Sequence, residues 1–198
     1  MDGRLARGAE TRRATLARAV DIASVEGLDG LTLGRLAGEL RLSKSGIFAH
    51  FGSKEDLQLA AITFAEDVFA ERVLKPSFQA PRGRPRLLAL LDHWMEYSRS
   101  RVFPGGCFFS AITAEFDARE GRVHDLLVRR NQAWVDLLKR LVQDAVEEKH
   151  LPAETDVDQL VFEINAFGRA ANFESVLTGT DLPYDRATTA VRARLNAN

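Results

Sequence analysis

Between positions 41 and 54 the sequence carries three bases, Arg41, Lys44 and Lys54, together with His50, and no acid. Hydroxyls flank and enter this stretch at Thr32, Ser43 and Ser45, while Gly46 and Ala49 keep its middle small. Cationic nitrogens and hydroxyls hold phosphate oxygens, and small side chains let a backbone approach a base edge. The chemistry open to this stretch is therefore recognition of nucleic acid. Charge along the chain is uneven in the same sense. Residues 1–54 hold nine Lys/Arg against six Asp/Glu, whereas residues 55–198 hold eighteen against twenty-two, in a chain of net charge −1. A basic end on an acidic protein is what a nucleic-acid reader shows. A solvated basic face has the same composition.

The second concentration is aromatic. Ten of the twelve Phe and both Trp lie beyond residue 60. Trp94, Tyr97, Phe108, Phe116, Trp134 and Phe167, with His93 and Asn165 as polar members, could line an apolar pocket for a small molecule. The same residues at helical spacing also build a solid core. Cys107, the one cysteine, leaves no internal disulfide and no cysteine-cluster zinc site. It follows Pro104-Gly105-Gly106 at the start of a helix and near Arg101, a setting that lowers a thiol pKa. As a small buried hydrophobe it would need no such setting.

Catalytic patterns are sparse. A di-iron carboxylate bundle needs a Glu-x-x-His pair on each of two helices. The chain has one, Glu147 to His150, and lacks both His-Glu-x-x-His and Gly-x-Ser-x-Gly. No enzyme activity, catalytic residue, metal or cofactor is expected.

The elements that must position these residues read as all-α. Apolar residues recur with the helical period over 11–26, 33–40, 44–50, 54–74, 86–101, 107–118, 121–149, 156–177 and 183–195. No stretch commits to a period of two, and residues 76–85 form the clearest loop. Thr32 caps the helix over 33–40, Arg41-Leu42 makes a short turn, and Ser43 caps the helix over 44–50. Ser53 caps the next, whose Glu55 and Asp56 suit a helix N-terminus. Two short helices joined by a tight turn are a helix-turn-helix, whose second helix enters the major groove. Thr32 and Ser43 serve there as caps, as phosphate donors, or as both. No apolar run approaches the ~18–20 residues of a membrane span. The Arg-rich start of the chain has no apolar segment, so a cytoplasmic location is expected.

Over positions 31–57 the sequence resembles the TetR family of transcriptional regulators. Thr32 stands at that family's helix-two threonine, and Leu42-Ser43-Lys44 at its Val-Ser-Lys. His50-Phe51 and Ser53-Lys54-Glu55-Asp56-Leu57 match its His-Phe and Ser/Pro-Lys-Glu-Glu-Leu. The resemblance implies a three-helix DNA-binding domain over residues 1–54 and a helical effector-binding and dimerisation domain over 55–198. It implies contacts to a double-stranded operator from Thr32, Arg41, Ser43, Lys44, Ser45, Gly46, Phe48, Ala49, His50 and Lys54. The effector pocket expected from it is His93, Trp94, Tyr97, Cys107, Phe108, Phe116, Trp134, Asn165 and Phe167. Three positions depart from the pattern: Phe48 replaces a Tyr, Arg41 a Gly, and Ala49 a larger residue. The resemblance further implies a homodimer through residues 156–195, with the small residues around Gly168 permitting close pairing of helices between copies. The function so implied is a repressor released by a hydrophobic small molecule. An effector-free architectural DNA binder and a helix-bundle enzyme are the alternatives.

Overall fold

Helix follows helix in the computed structural model, which describes residues 2–196; the side chains of residues 2–5, 7 and 44 fall outside the described set. The order is α1 (Asp2–Glu26), α2 (Leu33–Leu40), α3 (Lys44–Phe51), α4 (Lys54–Phe69) and a π-helical turn (Ala70–Leu74). There follow α5 (Lys75–Ser77), α6 (Arg84–Arg99), α7 (Phe108–Phe116), α8 (Arg122–Glu147), α9 (Val157–Thr178) and α10 (Leu182–Asn196). No strand occurs among the described residues, as the absence of a two-residue period requires. No helix among them is long and apolar enough to cross a membrane.

Two stretches differ from the reading by period. The first helix begins at Asp2 rather than near residue 11, because residues 2–10 contain no proline and hold two Arg, two Ala, one Leu and one Glu, which favour helix and outweigh Gly3 and Gly8. The loop over 76–85 contracts to 78–83, since two of its three prolines, Pro76 and Pro85, are accommodated within helix and only Pro81 stays in the loop. Pro85 occupies the first turn of α6, where a missing N–H costs nothing, and Pro76 is taken into the continuous helical run by a local change of hydrogen bonding. Pro76 also explains the π-turn before it. It has no N–H for the Arg72 carbonyl, and the Lys75 N–H reaches back five residues to Ala70 instead.

The chain forms two compact units. The first comprises residues 1–68 and 103–126, the second residues 69–102 and 127–198. The expected division at residue 54 thus falls inside the first unit, because α4 runs unbroken from Lys54 and keeps Leu57, Ala61 and Ile62 buried. Within the first unit α2 packs on α3, and α1 packs on α2 and on α7. Its core is Leu16, Val20, Leu28, Leu31, Leu36, Ile47, Leu57 and Ile62. Within the second unit α9 packs on α10, and both pack on α6. Leu87, Leu90, Trp94, Leu138, Val142, Ile164 and Tyr184 are buried there.

Candidate nucleic-acid interface

Short-range hydrogen bonds delimit α2 and α3. Thr32 Oγ1 accepts the Arg35 N–H at 3.1 Å, and Ser43 Oγ accepts the Gly46 N–H at 3.0 Å. A capping hydroxyl accepts through a lone pair and keeps its own proton for donation, so capping and phosphate contact are compatible. Between the helices, Arg41 adopts the left-handed conformation, φ 53° and ψ 37°. Its N–H donates to the Gly38 carbonyl, and the Leu42 N–H donates to the Ala37 carbonyl at 2.9 Å. This pair of bonds closes a helix in the Schellman manner, with an arginine at the position where glycine is unstrained. Gly52, φ 75°, ends α3.

The period of α3 sorts its side chains. Ile47 and Phe51 are buried, while Ser45, Phe48 and Ala49 are exposed together. His50 and Gly46 are half-buried, Arg41 is exposed, and the guanidinium of Arg12 lies over the Phe51 ring at 5.2 Å. The Lys44 side chain lies outside the described residues. Lys54 is engaged within the unit: its ammonium donates to the Asp29 carbonyl at 2.9 Å and lies 3.7 Å from Asp29 Oδ1.

The turn from α1 into α2 is held by side chains that sequence reasoning missed. Glu115 Oε2 accepts the Leu28 N–H at 2.7 Å, and Oε1 accepts the Asp29 N–H at 2.8 Å. The buried Gln58 donates to the Leu28 carbonyl at 2.9 Å, and Arg119 pairs with Asp29. Arg119 holds the Asp29 carboxyl below the usual aspartate range. Nearby, Arg35 joins Glu26 and Glu39 and lowers the Glu26 pKa; Arg18 is the main cause of the lowering at Glu39. The signal available in sequence was the glycine pair bracketing Leu28-Asp29, which marks a turn without naming what fills it.

The proposed pocket residues divide between the units. Cys107, Phe108 and Phe116 are buried in the first, where Phe108 meets Phe103 and Phe109 edge to face. His93, Trp94, Tyr97, Trp134, Asn165 and Phe167 belong to the second. There Trp94 and Trp134 stack edge to face at 5.0 Å, and Phe69 packs on both Tyr97 and Trp134 at 5.2 and 5.6 Å. Trp134 Nε1 donates to Asn165 Oδ1 at 3.2 Å. His93 Nδ1 lies 3.1 Å from Ser77 Oγ, and Phe167 is half-buried.

Gly168 is buried inside its own chain rather than presented to a second copy. A Cβ there would lie 2.2 Å from the Trp94 ring, so the small residue is required by the indole of α6. The pairing role expected for it is thus corrected. The outer face of α9 carries Phe162, Phe173, Val176 and Leu177, all exposed, with Leu182 exposed at the start of α10.

Comparison with known proteins agrees with this arrangement. Residues 5–61 match the family described as bacterial regulatory proteins, tetR family, and residues 83–191 match the tetracyclin repressor-like C-terminal domain. A TetR transcriptional regulator from Chloroflexus aurantiacus is 26% identical, with a TM-score of 0.86 over 93% of each chain. AibR, in complex with isovaleryl coenzyme A and operator DNA, is 20% identical with a TM-score of 0.72, over 92% of this chain and 96% of its own. A cysteine mutant of CifR, bound to a 26-bp double-strand operator, is 24% identical with a TM-score of 0.70, over 94% and 96%. No curated protein matches the chain.

Proposed function

We propose that this chain, which belongs to the TetR family of bacterial regulatory proteins, is a dimeric repressor that binds operator DNA through residues 1–54 and releases it when a hydrophobic small molecule binds the second unit. The observation that carries the reading is α3. It is a short helix with a capped N-terminus, preceded by the exposed Arg41 and Ser43, and its exposed face carries Ser45, Phe48 and Ala49. Such a helix enters the major groove with its first turn toward the bases, while side chains at the rim hold phosphates and set the register.

The exposed apolar side chains of α9 support a two-fold dimer. Phe162 is 69% exposed, Phe173 66% and Leu177 72%. Large rings in water on one helix are what an oligomer covers. A two-fold dimer presents its reading helices ~34–36 Å apart, or a multiple, to meet successive major grooves. AibR bound to isovaleryl coenzyme A and operator, and CifR bound to operator, are similar chains whose complexes support a DNA partner and a small-molecule effector here. The aromatic group around Trp94 and Trp134 is the effector-binding part in this reading. An effector that favours a DNA-incompetent state must itself be weakened by DNA, since coupling is reciprocal.

Selection of bound duplex from a random pool tests this function, followed by a screen of hydrophobic compounds for release. A palindromic site and a releasing compound are the expected results. Because the rings of Phe69, Trp94, Tyr97 and Trp134 pack on one another as a core would, a second reading is an architectural DNA binder with no effector. DNA binding with no releasing compound would favour it.

A further inference from the structure

We propose that the exposed face of α3 reads the methyl groups of thymine, and that Phe48 and Ala49 make those contacts. The inference rests on the DNA-binding reading above. Ile47 and Phe51 point inward, 0% and 7% exposed, and the opposite face carries Ser45, Phe48 and Ala49. Phe48 keeps 55% of its surface in water. The side chains that read guanine and adenine by paired hydrogen bonds are Arg, Lys, Asn and Gln. From Leu42 through Ser53 the sequence has none of these except Lys44, in the first turn.

A phenyl ring can neither donate to nor accept from a phosphate in the ordinary sense. Placed on the surface that meets a polyanion, it gains only by covering something apolar. In the major groove the apolar group offered by the bases is the C5 methyl of thymine, and Phe and Ala are side chains suited to touch it. The contact removes ring and methyl together from water. Ser45 carries a hydroxyl that both donates and accepts, so it accommodates more than one base. Arg41 and Ser43, just ahead of the helix, position it without reading sequence. Beyond the first turn, where Lys44 stands, discrimination falls to the apolar pair, and each half-site must place thymine opposite it.

The test uses the full chain and two random duplex pools, one made with thymine and one with uracil, which differ by that methyl group alone. The thymine pool should yield a sequence with a fixed thymine in each half-site. Rebuilding that duplex with uracil at this position should weaken binding about fourfold per half-site, the size expected for burial of one methyl group. Phe48→Ala should narrow the preference to what Ala49 supplies, and Phe48→Leu should restore part of it. The ring is exposed, so neither variant should alter the melting temperature. Equal wild-type affinity for the thymine and uracil duplexes would overturn the proposal and leave DNA binding standing. Full discrimination retained by Phe48→Ala would overturn the assignment to Phe48. Recovery of no duplex from either pool would overturn the DNA-binding reading and this inference with it.

Discussion

The carboxylate of Glu115 accepts the backbone N–H of Leu28 at 2.7 Å, across 87 residues of sequence, and its other oxygen takes the N–H of Asp29 at 2.8 Å. The end of α1 is thus closed by a side chain of α7. Gly27 takes φ 78°, which favours glycine, and a Cβ there would lie 2.6 Å from Glu115 Oε2 and displace the carboxylate from its two N–H groups. A second close approach lies one turn earlier, where Gly105 donates its N–H to Ser24 Oγ at 3.0 Å, and a Cβ would strike the Ser24 carbonyl.

Removing that carboxylate leaves two backbone donors without their acceptor. Glu115→Ala should therefore destabilise the protein by ~1–3 kcal/mol. Glu115→Gln should lose less, because its carboxamide oxygen still accepts. Urea denaturation followed by circular dichroism gives both values. Equal stability of Glu115→Ala and wild type would contradict the role assigned to the bond pair.

Arg41 holds a left-handed conformation that an L side chain adopts only at a cost. Arg41→Gly should raise stability by roughly 1 kcal/mol. It should also weaken DNA binding and reduce the salt slope of log K by about 0.9, the change expected when one phosphate is no longer neutralised. Opposite signs for stability and affinity separate a strained phosphate-binding residue from an ordinary helix end. A slope unchanged by the substitution would show that Arg41 does not touch phosphate.

Two faces of α9 should respond differently to substitution. Gly168→Leu drives a side chain into the Trp94 indole, and overpacking of this kind costs roughly 1–3 kcal/mol. Tryptophan fluorescence should shift with it. Phe173→Glu alters the exposed face instead; it should leave the fold intact and convert the proposed dimer to monomer in sedimentation at micromolar concentration. A Phe173→Glu protein that stays dimeric would move the interface elsewhere.

The Arg119–Asp29 pair makes stability depend on pH in a defined direction. Arg119 lowers the Asp29 pKa in the folded state. A depressed carboxyl contributes stability that is present above its unfolded pKa and lost as pH falls through the folded value. Wild type should exceed Arg119→Gln in stability at neutral pH, and the gap should close below about pH 4. Both side chains are largely exposed, so added salt should also narrow the gap. A gap that widens on acidification would contradict the assignment.

The all-α class, the two short helices and both of their caps were legible in the sequence, because each depends on residues within a turn of one another. Thr32 and Ser43 act on N–H groups three residues ahead, and the alternation of Ile47 and Phe51 with Phe48 follows from the helical period alone. The left-handed geometry of Arg41 was hinted at only by the glycine that the family has at this position, since an arginine itself gives no local reason to expect it. Nor was the burial of Gly168. A small residue announces a close approach, but only the packing of α9 on α6 decided that Trp94 fills the space. The aromatic residues read alike as core or pocket, and the tertiary structure divided them between two units. Glu115 illustrates the limit most plainly: nothing near it in sequence points to Leu28, and the bond exists because folding returns α7 to the end of α1. Local preferences act over a few residues and are written along the chain, whereas contacts across 87 residues arise only when whole helices pack.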